Sequence, residues 1–200
     1  MVSWFRVYQI LNHPAAFAIF QKRVRFRAVC TYAAGAKNHA RRSGKVFMFT
    51  NVVSLDEAVK NGSLPALSTF PCPFDEKGSG NGIIRIVFPE FTCVCPRTGY
   101  PDFAGITVCY LPGGACMELK SWKLYLNSFR MVGALHEAVT AFLFETLDKL
   151  LSPRWLLVIG DFFPRGNVDT TIIFETKTAR PSGADLLIGR LPPRCRDFGG

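Results

Sequence analysis

The chain has 200 residues, 48% apolar and 20% charged, enough for one domain with a sizeable core or one domain plus an appendage; both an enzyme and a binding module stay open. Its net charge of +9 is local: residues 1–55 hold nine basic side chains (Arg6, Lys22, Arg23, Arg25, Arg27, Lys37, Arg41, Arg42, Lys45) and no carboxylate. The other 145 carry fifteen of each sign, so a global electrostatic argument for nucleic acid fails for the body of the chain.

The first 47 residues are Arg-rich, free of acid and without a sustained period. They match a targeting-type leader, a basic arm, or translated sequence upstream of the true start. The third is preferred, with Met48 as the natural initiator, and residues 48–200 are expected to form a single domain. The apolar run PAAFAIF at 14–20 is far short of the ~18 residues that cross a bilayer, so a soluble chain with no membrane partner is expected. Seven cysteines at irregular spacings (Cys30, Cys72, Cys93, Cys95, Cys109, Cys116, Cys195) fit a reducing cytosol better than a disulfide framework.

IIRIVFPEF at 83–91 and AGITVCYL at 104–111 are β-branched and aromatic runs bounded by Gly and Pro, and read as strands joined by a loop. After the PGG turn at 112–114, Lys120 to Phe129 reads as one helix, broken near Gly133. A longer helix follows from Leu135 to Leu151, where Val139, Phe142, Leu143, Leu147 and Leu150 recur at helical spacing until Ser152-Pro153 stops it. WLLVIGDFF at 155–163 and VDTTIIFE at 168–175 form a second strand pair around the PRGN turn at 164–167. The order strand, strand, helix, helix, strand, strand implies an α+β fold: a four-stranded antiparallel sheet with two helices on one face. Its two open edges predict an oligomer built by sheet extension.

The loop FTCVCPRTGYPDFAG at 91–105 holds the candidate chemistry. A thiol is a nucleophile when its thiolate is accessible and stabilised, and inert when buried in apolar surroundings. Cys95 directly precedes Pro96, where the strand ladder must end, and is better placed than Cys93. Both would share a face if the strand ran on, so the choice rests on the turn. A metal held by Cys93, Cys95, Cys109, Cys116 and His136 is disfavoured because no second pair has finger-like spacing. Asp102 follows a proline and precedes an apolar residue, surroundings suited to a proton donor and equally to an ordinary turn residue. His136-Glu137 opens a helix, where a carboxylate is favoured by the dipole.

ELKSWKLY at 118–125 makes these signals specific. With the loop residues Glu90, Phe91, Thr92, Cys95, Pro96, Thr98, Gly99, Pro101, Asp102 and Phe103, it resembles the QueF family, the nitrile reductases of queuosine biosynthesis. SFR at 128–130, HE at 136–137, PR at 153–154 and PRG at 164–166 continue the pattern in order, so the similarity covers roughly residues 68–175.

The resemblance implies the tunnelling fold, with subunits joining sheets into rings, two five-membered rings stacking, and active sites between neighbours. It implies reduction of 7-cyano-7-deazaguanine to 7-aminomethyl-7-deazaguanine with two NADPH. Cys95 would be the nucleophile, Asp102 the proton donor, and His136 a lid that assists proton movement. Glu137, with the Met117, Glu118, Leu119 segment, would hold the base, while Lys120, Lys123 and more weakly Arg165 would hold the cofactor. No metal and no direct nucleic-acid contact are implied.

Three departures stand out. Met131 and Val132 replace polar residues near His136, Asn167 replaces a glycine, and the first 47 residues have no counterpart. Three rivals remain. An archaeal relative uses the same cysteine to add ammonia to the nitrile on tRNA, but lacks the ELKSWKLY-type segment. A basic RNA-binding module would rest on the N-terminal arm. A pterin-type enzyme on the same fold would need His and Cys metal ligands that are not found.

Overall fold

The computed structural model describes residues 51–73 and 82–184, together with the backbone of residues 24–32. The expectations for residues 1–23, 33–47 and Met48 lie outside the described residues.

In chain order the elements are β1 (Val24–Tyr32), β2 (Val53–Ser54), α1 (Leu55–Lys60), β3 (Thr69–Pro71), β4 (Ile84–Val94) and β5 (Pro101–Leu111). They continue with β6 (Ala115–Met117), α2 (Leu119–Asn127), a 3-10 turn (Ser128–Met131), β7 (Val132–Gly133), α3 (His136–Leu151), β8 (Trp155–Arg165) and β9 (Val168–Thr176). The fold is α+β. Four long antiparallel strands in the order β4-β5-β8-β9 form its centre, as the two strand pairs imply.

The sheet is larger than the expected four strands: among the described residues it has seven, in the order β1-β9-β8-β5-β4-β7-β2. β1 lies within the acid-free N-terminal stretch and pairs antiparallel with β9 along nine residues, from Val24 opposite Thr176 to Tyr32 opposite Val168. An unpaired outer strand accepts such an addition because its N–H and C=O groups have no other backbone partner. At the other side the two-residue strands β7 and β2 add in parallel, and β7 touches β4 only at Val94. The rest of the outer edge of β4 has no strand against it among the described residues.

α2 and α3 pack on one face. Val139, Leu143 and Leu147 of α3 are fully buried and Phe142 and Leu150 pack beside them, as the helical spacing predicts. Burial of each such side chain contributes about 2 kcal/mol. They meet Val158 and Phe162 of β8 and Phe174 of β9, while Leu157 and Ile159, pointing the other way, join Cys109 and Trp155 on the opposite face. Helix and strand lie close together at Gly160, where a Cβ would lie 2.5 Å from Thr140 Oγ1.

A separate two-stranded sheet, β3 with β6, sets the start of α2. The Glu118 N–H donates to the Ser68 carbonyl at 2.9 Å, and the Ser68 N–H donates to Ser121 Oγ at 3.0 Å. The helix expected over 120–129 is α-helical only to Asn127, and its last turn tightens to 3-10.

Candidate active site

Cys95 leaves the ladder where proline requires it to. β4 ends at Val94, and the loop closes through two bonds: Cys95 N–H to the Tyr100 carbonyl at 2.8 Å, and Gly99 N–H to the Cys95 carbonyl at 2.9 Å. Gly99 sits at φ 73°, a left-handed conformation natural to glycine. Cys93, one step earlier, is fully buried among core side chains, with its sulfur 3.9 Å from the Ala134 carbonyl.

The two thiols are therefore unlike. Burial, with smaller contributions from the charges of Asp102 and Cys95, pushes the Cys93 thiol up to about 12. Burial also works against ionisation of Cys95, which is 4% exposed. Hydrogen bonds from the Thr98 hydroxyl, the Arg165 guanidinium and the backbone N–H groups of Arg97 and Thr98 outweigh it, and the thiol lies below its ordinary range.

Three more elements bring side chains into this cluster, and Arg165 reaches the sulfur itself. Asp102, the second residue of β5, is 5% exposed and stands opposite Cys93 in the ladder. One of its oxygens lies 3.2 Å from His136 Nε2, and the other accepts from Arg165 Nη1. His136 is the first residue of α3, and its ring stacks on Phe162, centroids 3.8 Å apart and planes within 8°. Arg165 ends β8, and its Nη2 donates to Cys95 Sγ at 3.2 Å.

Two backbone irregularities aim Arg165. The register of β8 against β9 shifts between Phe162 and Arg165, a bulge of one residue at Phe163-Pro164. Such an insertion turns the side chains beyond it. The two-residue turn Gly166-Asn167 has φ of 60° and 64°, the geometry that matches hairpin twist, and Asn is the side-chain-bearing residue that tolerates it best. The replacement of a glycine by Asn167 therefore leaves this turn intact.

The remaining candidates lie elsewhere in the chain. Glu118 is the N-cap of α2, and its carboxylate accepts from the backbone of Lys120 at 2.8 Å and Ser121 at 2.6 Å. Those two bonds hold its carboxyl below the usual range. Met117 is buried, and its N–H donates to the Tyr110 hydroxyl at 3.1 Å. Tyr110 is eight residues along β5 from Asp102, about 27 Å of extended chain. Met117, Glu118 and Leu119 thus stand at the opposite end of the sheet from Cys95. Leu119, Lys120 and Lys123 are exposed on α2, whereas Trp122 and Tyr125 of the same motif are core residues. Glu137 is exposed in the first turn of α3, beside His136.

The sequence singled out Arg165 for cofactor binding and did not connect it with the thiol; the PRGN turn signalled a hairpin but not the bulge that aims its first arginine. The apolar replacements near His136 are absorbed structurally: Val132 and Gly133 form β7 and are buried, and Met131 is exposed. No group of three or more His, Cys, Asp or Glu able to hold a metal occurs among the described residues.

A thiol held below its ordinary range in a cluster with a guanidinium, a carboxylate and an imidazole has the chemistry of a nucleophile. The chain belongs to the QueF-like family, whose model matches residues 101–181. It is 51% identical over 106 residues to the NADPH-dependent 7-cyano-7-deazaguanine reductase of Aquifex aeolicus (strain VF5), covering 53% of this chain and 80% of that one. It is 49% identical over 117 residues to the reductase of the same name from Anaeromyxobacter sp. (strain K), covering 58% and 93%. Among solved structures, the apo archaeosine synthase QueF-Like aligns with a TM-score of 0.46 at 22% identity, over 49% of this chain and 96% of that one.

Proposed function

We propose that this chain reduces the nitrile of 7-cyano-7-deazaguanine to the aminomethyl group, consuming two NADPH, as the names of its relatives indicate for those proteins. The observation that carries this reading is the depressed Cys95 thiol beside the Asp102–His136 pair.

A nitrile carbon is a weak hydride acceptor, and covalent addition divides one hard step into easier ones. The Cys95 sulfur forms a bond to the nitrile carbon while one C–N π bond opens, and Asp102 delivers a proton to the nitrogen, leaving a thioimide. His136 returns a proton to Asp102, which delivers the second one to the nitrogen when the imine is reduced to the amine. NADPH, when bound, supplies a hydride to that carbon in each of the two reductions. Between them the C–S bond breaks and Cys95 leaves as thiolate, so the sulfur is regenerated. Glu137 accepts two N–H bonds from the aminopyrimidine edge of the base. Lys120 and Lys123, exposed and three apart on one face of α2, suit the cofactor's phosphates.

The α+β unit is read as the tunnelling fold, working as a ring-shaped homo-oligomer of two stacked pentamers in the cytoplasm; no helix among the described residues is long and apolar enough to cross a membrane. The distance between the Cys95 group and the Met117–Lys123 segment supports sites completed by a neighbouring copy. Residues 48–200 are taken as the catalytic domain and residues 1–47 as an extension to it.

The test is a titration. Cyano-deazaguanine without NADPH gives a covalent adduct in the wild type and in Cys93→Ala, and none in Cys95→Ala. NADPH then discharges the adduct with consumption of two equivalents. Failure to form an adduct overturns the proposal, and an adduct that ammonia but not NADPH discharges reassigns the chain to the amidine-forming chemistry.

A further inference from the structure

We propose that Arg165 is a catalytic residue acting on the thiol itself: its two amino groups hold the Cys95 sulfur as the attacking anion and tie it to Asp102 at fixed spacing. This rests on the reading of Cys95 as nucleophile, and it gives Arg165 a role distinct from cofactor binding.

The geometry is a fork. Nη2 donates to Cys95 Sγ at 3.2 Å and Nη1 donates to Asp102 Oδ1, so one planar, permanently charged group spans both reacting side chains. A lysine at this position offers a single point of charge and cannot hold both at once. The groups that act on the sulfur are the Thr98 hydroxyl, the Arg165 guanidinium from β8 and the Arg97 and Thr98 N–H groups of the loop. Arg165 in turn holds Asp102 of β5, which meets His136 of α3, and Cys93 of β4 lies near enough to feel the charge of Cys95. Arg165 is the cation in direct contact with the Cys95 sulfur.

The partners respond in agreement. The bond to Cys95 is the largest influence holding the Arg165 proton more tightly than in a free arginine, with Asp102 adding to it. The arginine remains 44% exposed on its side chain, so a substrate or cofactor anion can reach its outer edge without displacing the inner contacts.

The same fork serves the two stages of the reaction. During attack, the negative charge on sulfur passes to the nitrile nitrogen, which takes a proton relayed from His136 through Asp102. When the C–S bond breaks, the electron pair returns to sulfur beneath Arg165, which favours departure of the thiolate.

The experiment measures iodoacetamide alkylation of Cys95 against pH, read by peptide mass spectrometry in the full chain without substrate. In the wild type the rate reaches half its plateau below the range of an ordinary cysteine. Arg165→Gln moves that midpoint up by about one pH unit or more, and so lowers the rate at neutral pH about tenfold. Arg165→Lys falls between, and both variants lose turnover mainly in kcat. An unchanged midpoint in Arg165→Gln, accompanied by a raised KM for NADPH, overturns the inference and returns Arg165 to the cofactor. Should Arg165→Gln melt early, Arg165→Lys carries the same comparison, and an unshifted midpoint there counts equally against the role. If the midpoints shift as expected but cyano-deazaguanine forms no adduct, the proposed substrate fails while the role of Arg165 stands.

Discussion

His136 Nε2 lies 3.2 Å from Asp102 Oδ2 although the two belong to different elements, a helix start and a strand start. Phe162 fixes the imidazole from below by stacking, and the backbone ladder fixes Asp102 opposite Cys93. In the proposed reaction this carboxyl passes a proton between imidazole and substrate. Asp102→Asn is expected to lower kcat by about 10²- to 10⁴-fold, the usual worth of a positioned acid, while the melting temperature stays near wild type. Stopped-flow NADPH oxidation checks it, and a loss below tenfold would remove Asp102 from proton transfer.

Gly160 allows α3 to lie close against β8. A methyl group there would meet Thr140 Oγ1 at 2.5 Å and Phe162 Cε2 at 3.0 Å. Thr140 is fully buried and its hydroxyl donates to the His136 carbonyl at 2.8 Å, so pressure on it passes to the helix start. Gly160→Ala is expected to cost about 1–3 kcal/mol in urea unfolding and to lower turnover by shifting His136. Wild-type values of both would show that the helix moves aside freely.

Copies of the chain should complement one another. Cys95→Ala lacks the nucleophile, whereas a Lys120→Ala, Lys123→Ala double variant retains it and carries its defect on α2, toward the other end of the sheet. Mixed after gentle dissociation and reassembly, the two inactive proteins are expected to regain NADPH oxidation above either parent. Continued inactivity of a demonstrably mixed oligomer would place both sets of residues in one subunit's site.

β1 covers the outer edge of β9 along nine residues, while β4 is open between Ile84 and Cys93 among the described residues. If rings form by pairing β4 of one copy with β9 of the next, β1 competes with assembly. A chain beginning at Met48 is therefore expected to form larger particles than the full chain at equal concentration. Light scattering after size exclusion measures this, and equal masses would rule out the competition.

Cys93 should weaken the fold at high pH. In the folded state its thiol stays neutral until about 12, while in the unfolded chain it ionises near the ordinary value of about 8.5. Because the folded value is the higher one, the unfolded state alone gains an anion in between. Stability linked to this group is complete below about pH 8.5 and is lost progressively up to about 12. Urea midpoints measured across that range should fall less steeply in Cys93→Ala than in the wild type. Parallel slopes would mean that Cys93 ionises as readily in the fold as outside it.

Periodicity and local chemistry determined much of this molecule without coordinates. The four long strands, the apolar stripe of α3 and the break at Ser152-Pro153 follow from residues that are neighbours along the chain, so their signal is local. Pro96 likewise separates Cys95 from the ladder. Tertiary structure alone decided the rest. Arg165 meets Cys95 across seventy residues, and the separation of Glu118 from the thiol depends on the direction in which β5 runs. The addition of β1 to β9 and the bulge at Phe163-Pro164 are outcomes of strand pairing. Pairing partners are chosen by backbone groups that every residue shares, and side-chain patterns carry little record of that choice.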